Sequence, residues 1–519
     1  MRKTVKKLTA VGLTVTSVLG LVACGSSKGT TSQGTSENKE VTKPDTFTVM
    51  CDGTVVTETN GAEAFYKQLN EATGLDIKWT RPDHASYYDA VANAFNSDDT
   101  MPDVVLLSSD YYALYASNGF LWNMTDAWEH SETKNSGRLI STADNVLSAL
   151  MVNGEDGTKA MYGLSLYRGN GCCTYVKKAW LDKAGIDASK VKDVQMDFNT
   201  YYGYLKQMAQ TMGHYVISSP GFIHPEAPNT NYLPEFYQKA QYTFYKDTSG
   251  KYVDGFAQPE MKEALQRIQT AVNDGVIDKE SVNNSTANAR DKFYSTDPST
   301  ETGVFTYWAG TWANTLKTNL ANKGLDDELI AIKPIKELGA YTERIAPCWC
   351  ITSAAKNPEG IFKYFIDKML DGGDVQMLWT HGAKGTHWDD KAETVTVQKK
   401  EDQPKTYTEG QFHYLPGIEK PDQWQTKNHI DPILSIANFT NGYVGESLIP
   451  EVARENGEFF AENSQVAVPL PMTSELSNNI GDINTARTYV IAQVALGYMT
   501  VDEGMDYYNK TVGSLSNAV

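Results

Sequence analysis

From Phe47 onward, apolar residues recur in short runs whose period switches repeatedly between that of a strand and that of a helix. Phe47-Thr48-Val49-Met50 reads as a strand ending at Asp52-Gly53, and Leu75 to Trp79 reads as a second. Between them Ala62, Phe65, Leu69 and Ala72 fall at helical spacing, with Gly74 as the stop. Tyr87 to Phe95 continues as a helix, and Asp103-Val104-Val105-Leu106-Leu107 as a strand apolar enough to be buried on both faces. The alternation returns with Thr174 to Val176, the amphipathic helix Phe198 to Met212, the helix Met261 to Asn273, and strands at Val304 to Trp308, Ala331-Ile332 and Ile345 to Thr352. Helical stretches follow at Pro358 to Leu370, Thr485 to Tyr498 and Val501 to Asn509. Strands alternating with helices of about a dozen residues predict an α/β protein with a mostly parallel sheet, and the change of spacing midway predicts two lobes. Residues 385–430, holding Pro404, Pro416 and Pro421, carry the least pattern and read as irregular loop or hairpin.

The start of the chain follows other rules. Arg2, Lys3, Lys6 and Lys7 precede an apolar stretch from Leu8 to Leu19, which is too short to span a bilayer and is flanked as an export signal is. Leu21-Val22-Ala23-Cys24-Gly25 resembles a bacterial lipobox, which makes Cys24 the expected lipidated N-terminus and residues 1–23 a lipoprotein signal peptide. Residues 24–45 are rich in Gly, Ser, Thr, Lys and Glu and read as a flexible tether. The expected location is therefore the outer face of a cytoplasmic membrane, as in a Gram-positive bacterium, with the N-terminal lipid as the only membrane contact.

Composition narrows the function. The 519 residues hold 46 Lys plus Arg against 64 Asp plus Glu, a formal charge of −18 that argues against nucleic-acid partners. No HExxH, GxSxG or phosphate-loop motif occurs. His381, His387, Asp389 and Asp390 could be drawn together as a metal cluster, but residues of such a loop are usually solvated; no metal and no cofactor are expected.

Four segments in order resemble the extracellular solute-binding lipoproteins of bacterial carbohydrate ABC importers, the family that includes maltodextrin-binding proteins. They are Met101-Pro102-Asp103-Val104-Val105 through Thr125-Asp126; Tyr162-Gly163-Leu164 with Val176-Lys177-Lys178-Ala179-Trp180-Leu181-Asp182-Lys183-Ala184-Gly185; Ala264-Leu265 through Asn273-Asp274-Gly275-Val276-Ile277; and Ile351-Thr352-Ser353 through Asn357-Pro358-Glu359. The resemblance implies a two-lobed, type II periplasmic-binding-protein-like α/β fold, each lobe a mainly parallel sheet flanked by helices. Residues 46–165 and 334–375 would form the N-lobe, and residues 166–333 and 376–519 the C-lobe. Hinge crossings fall near Tyr162–Tyr175, Ala331–Ile351 and Gly372–His381. It further implies a monomer that binds an oligosaccharide, delivers it to permease subunits and does no chemistry. A surface glycoside hydrolase or lyase, or a receptor for peptides or signalling ligands on the same scaffold, remain the alternatives.

Ligands of open α/β sheets sit beyond the carboxyl ends of strands. That rule selects Asp52, Asp110 and Tyr111, with Tyr167 and Arg168 on the first crossing; Asp110 could instead cap a helix opening at Tyr111. Sugar rings have apolar faces that suit flat aromatic side chains. Trp308 and Trp312 follow a strand, Trp349 alternates with Cys348 and Cys350, and His387-Trp388 lies in the low-pattern region; these complete the candidates. Cys51, Cys172, Cys173, Cys348 and Cys350 are left after Cys24, an odd number that cannot pair completely. If the crossings pair as the resemblance implies, Cys172/Cys173 approach Cys348/Cys350. A hinge disulfide, a thiolate zinc site and plain buried thiols are then all open.

Overall fold

A computed structural model describes residues 41–513 and 515, apart from 54–60, 166–167, 223–229, 326–327, 391–393, 397–403, 407–412, 415–438 and 469–473. The leader, Cys24 and most of the expected tether lie outside the described residues. In chain order, the strands that position the site are β1 (Thr46–Met50), β2 (Asp76–Thr80), β3 (Val104–Leu107), β4 (Gly163–Leu164), β5 (Cys172–Lys177), β6 (Val304–Trp308), β7 (Leu329–Ala331), β8 (Tyr341–Glu343), β9 (Cys348–Ile351) and β10 (Ser464–Val466).

The first sheet has the order β2-β1-β3-β9-β4. β1 pairs in parallel with both β2 and β3, and all four residues of β3 are buried, as its unbroken apolar run requires. In the second sheet β5 lies between β6 and β7, antiparallel to both, and Ile217 extends it through parallel bridges to Val304 and Ile277. Parallel pairing therefore covers less of each sheet than the sequence suggested. The reason is the route of the chain. β9 enters the first sheet from the edge where the parallel strands end, so it must run against β3, with Cys348 opposite Leu107. β5 enters the second sheet the same way, with Cys172 opposite Trp308.

Helices cover the faces where the periodicity placed them. Ala62–Thr73 buries Ala62, Phe65 and Leu69 and stops at Gly74, whose φ of 63° is the left-handed conformation that glycine adopts without strain. Phe198–Met212 buries Tyr201, Leu205 and Met208, and Asp197 caps it by accepting the Thr200 N–H. Among the described residues no helix is long and apolar enough to cross a membrane.

Two cores result. Phe47, Val49, Phe65, Val105, Trp349, Phe365, Trp379 and Phe439 share the first. The second sheet is covered on both faces: Val176 and Val304 pack with Leu205, Ile268, Val490 and Tyr508, whereas Tyr175 and Phe305 pack with Phe293, Leu316 and Phe460. The chain passes between the cores from Leu164 to Cys172 and from Tyr341 to Ile345. The third passage differs from the expected Gly372–His381. The helix Asp374–His381 stays in the first lobe because Trp379 meets Phe65, Trp349 and Phe365 at ring distances of 4.9, 5.8 and 6.1 Å. Phe439 still belongs to the first core and Phe460 to the second, so the passage lies between them, and Leu378, Trp379 and Ala383, expected in the C-lobe, pack with the first core. Ile335 and Tyr341, expected in the N-lobe, pack with the second.

Candidate functional site

The carboxyl ends of β1 and β3 emerge side by side, because the two strands are parallel neighbours. Tyr87 fastens the following helix to both, donating its hydroxyl to the Met50 and Leu106 carbonyls at 3.2 and 2.7 Å. Its neighbour Tyr88 accepts the Ser108 N–H at 2.8 Å and stacks on Tyr111, with centroids 3.9 Å apart and planes within 6°. Burial, with Asp52 among the lesser causes, pushes the Tyr88 phenol up to about 12, so it remains a neutral hydroxyl. Asp52 meets His84, Oδ2 to Nδ1, at 2.5 Å. This edge thus gathers a carboxylate and two parallel phenol rings, and two of the predicted residues, Asp52 and Tyr111, belong to it. Asp110 lies in the first turn of the helix Ser109–Ser117, which opens one residue beyond Ser108 rather than at Tyr111.

The matching edge of the second sheet is the end of β6. Trp308 is its last residue, half-buried, with the Arg344 guanidinium 4.7 Å from the ring centroid. Gly310 then turns the chain at φ 66°, ψ −117°, donates its N–H to Asn456 Oδ1 at 2.7 Å, and starts the helix Thr311–Asn322. Trp312, half-buried in its first turn, stands edge-on to Tyr307 at 5.0 Å, with Arg290 5.2 Å from its centroid. Trp308 and Trp312 therefore sit on different elements, and neither is closed off in a core.

Both edges face the passages between the lobes, since Leu107 and Trp308 lie opposite Cys348 and Cys172, the first residues of the crossing strands' sheet segments. Asn170, on the first passage, donates to the Ala309 carbonyl at 3.1 Å and ties the passage to the end of β6. A pocket of about 180 Å³ lies there, lined by Ser141, Thr142 and Asn441 on one side, Thr311 and Arg454 on the other, and Arg168 and Asn170 between. Asp52 and Tyr111 do not line it.

Arg168 is placed at the passage as expected, but its charge is already matched. It is buried and donates from Nε to Glu343 Oε2 at 2.8 Å, and its terminal nitrogens reach Glu343, Thr142 and, at 3.3 Å, Ser464 Oγ. Burial raises the Glu343 carboxyl, and the Arg168 hydrogen bond and charge pull it back only in part. Arg168 is a brace between passages before it is a ligand contact. Tyr167 lies outside the described residues.

Three other candidates leave the site. Trp349 is completely buried against Phe365 and Trp379 in the first core. Alternation separates it from Cys348 and Cys350, but helices cover its face too. His387 is buried and its Nδ1 accepts the Ala383 N–H at 2.8 Å. Trp388 is buried as well and donates its indole N–H to the Gly382 carbonyl at 2.9 Å. The segment is packed against the first lobe and is not a solvated loop. The five cysteines are buried free thiols: Cys172 and Cys173 lie in the second sheet, Cys348 and Cys350 in the first. Burial pushes the thiols of Cys51, Cys173 and Cys348 up to about 12. Among the described residues no group of three or more His, Cys, Asp or Glu could hold a metal.

Sequence reasoning missed Tyr88, Asn170, Glu343 and Arg344. For the last two the sequence shows only neighbouring charges; the structure's alternating burial is what turns Glu343 inward and Arg344 outward.

The sequence matches no family model and no curated protein. Solved structures do match. An extracellular solute-binding protein family 1 member from Alicyclobacillus acidocaldarius superposes with a TM-score of 0.60 at 14% identity, over 92% of this chain and 100% of that one. An alginate-binding protein solved without calcium ion gives 0.54 at 16%, over 91% and 95%. A cyclic alpha-maltosyl-1,6-maltose binding protein from Arthrobacter globiformis gives 0.53 at 14%, over 91% and 100%. At these identities the likeness is one of architecture: this chain has the two-lobed α/β fold of the periplasmic binding proteins.

Proposed function

We propose that this protein is a non-catalytic receptor that captures an oligosaccharide between its lobes and hands it to an ABC permease. In this reading the lipid on Cys24 holds the body at the outer face of the membrane. The single observation that supports it is that each lobe gathers aromatic and polar groups at the strand ends next to the passages: Asp52, Tyr88 and Tyr111 on one lobe, Trp308 and Trp312 on the other. Aromatic faces suit the C–H faces of sugar rings, and a carboxylate accepts hydroxyl hydrogen bonds worth about 1.5–3 kcal/mol each. The architectural relatives, one named for alginate and one for a cyclic maltosyl-maltose, support a glycan as ligand. A ligand touching both lobes shifts the open–closed equilibrium by its preference for the closed state.

Calorimetry against a glycan panel tests this. The expected result is saturable one-site binding, a rise in melting temperature that follows RT ln(1 + [L]/Kd), and compaction in small-angle scattering. Shortened glycan products would turn the reading toward a hydrolase or lyase. Radiolabelled palmitate incorporated by the wild type and lost in C24A tests the anchor.

A further inference from the structure

Arg344 and Arg290 are arranged alike. Each lies over a tryptophan of the segment that ends β6 and opens the following helix: Arg344 over Trp308 at 4.7 Å, Arg290 over Trp312 at 5.2 Å. Arg290 also donates to the Tyr307 hydroxyl at 3.0 Å, which fixes its plane. Neither forms an ion pair among the described residues, whereas Arg168, Arg267, Arg454 and Arg487 each meet a carboxylate. Arg344 is exposed and sits on the second passage, with its backbone N–H held by the Asn170 carbonyl at 3.1 Å.

We infer that Trp308 and Arg344, with Arg290 beside them, form a subsite for an acidic sugar unit. This rests on the glycan-binding reading and deepens it. The guanidinium, preoriented by its stack on the indole, presents a planar fork that matches a carboxylate with two parallel hydrogen bonds. A sulfate ester offers the same anionic oxygens, so both anions fit the chemistry. Arg168 does not compete for this role, because Glu343 neutralises it.

The test is calorimetry on the purified protein with tetragalacturonate, a hyaluronan tetrasaccharide and a chondroitin sulfate tetrasaccharide, against maltotetraose, cellotetraose and methyl-esterified tetragalacturonate. At least one acidic glycan is expected to bind about tenfold or more tighter than the neutral ones, the weight of a charge-assisted hydrogen bond. R344Q is expected to collapse the acidic-to-neutral ratio toward one, and R344K to leave it in between, since charge stays and the fork goes. The sulfated member binding alone identifies sulfate as the anion, and the uronates binding alone identify carboxylate. Neutral glycans binding as tightly as acidic ones, or a ratio unmoved by R344Q, overturns the subsite and leaves the receptor reading standing. Binding by neither set overturns both.

Discussion

Replacing Arg168 with Met isolates the energetics of the passage between the lobes. The substitution keeps a long apolar stem and removes the guanidinium, leaving Glu343 fully buried. Of its oxygens, Oε1 has no hydrogen-bond partner and Oε2 would keep only the Ser464 hydroxyl at 3.2 Å. Breaking a buried pair in this one-sided way costs about 3–5 kcal/mol, against less than about 1 kcal/mol for an exposed pair such as Arg454–Glu458. The cost also carries a sign with pH. Burial already raises the folded-state carboxyl above its unfolded value, and loss of Arg168 raises it further. A carboxyl raised in the folded state contributes stability that is present at low pH and lost as pH rises through the folded value. The deficit of R168M relative to wild type is therefore predicted to be largest near pH 8 and to shrink toward pH 5. Urea unfolding followed by tryptophan fluorescence at both pH values measures it. R168M/E343M, which removes the stranded carboxylate, is predicted to regain most of the loss. A deficit equal at both pH values and undiminished in the double variant would show that the buried charge is not its source.

Further predictions concern other positions. W308A is predicted to weaken the binding of any captured glycan by about 2–4 kcal/mol in calorimetry, with an unchanged circular dichroism spectrum; unaltered affinity removes Trp308 from the site. W349A is predicted to lose about 3–5 kcal/mol of stability in urea unfolding, as a core aromatic does. Glu235 is buried, accepts from Thr174 Oγ1 at 2.8 Å, and burial pushes its carboxyl up to about 7. Wild-type stability should then fall, on the order of 3 kcal/mol, as pH rises from 4.5 through 7, and E235Q should flatten that slope. Thiol titration is predicted to find the five buried cysteines unreactive in the native protein at pH 8 and fully reactive in urea.

The parts of the fold legible in the sequence are those in which one segment carries its own signal. Ala62, Phe65 and Leu69 show a helix stripe, and Val104 to Leu107 show a strand buried on both sides, whatever packs around them. Strand direction was not legible in the same way. Nothing within Cys348–Ile351 says that it returns to the first sheet from the far side and so runs antiparallel. The candidate site was legible where strand ends mark it, at Asp52, Tyr111 and Trp308. Alternation placed Trp349 on one face of its strand but could not say that Phe365 and Trp379 cover that face. His387 and Trp388 were misjudged because weak periodicity was taken as exposure, whereas both are held by main-chain groups four to six residues upstream.

The return of β9 to the first sheet constrains how the molecule is made. A chain that emerges N-terminus first, as from an export channel, presents β3 long before Cys348 to Ile351 follow, and in the interval all of the second sheet emerges. Until then one side of Val104–Leu107 is an open, wholly apolar ladder, the kind of edge that recruits other unfinished chains. Vectorial folding cannot complete the first lobe on its own. The product must be kept from premature self-association until about two-thirds of its length has emerged.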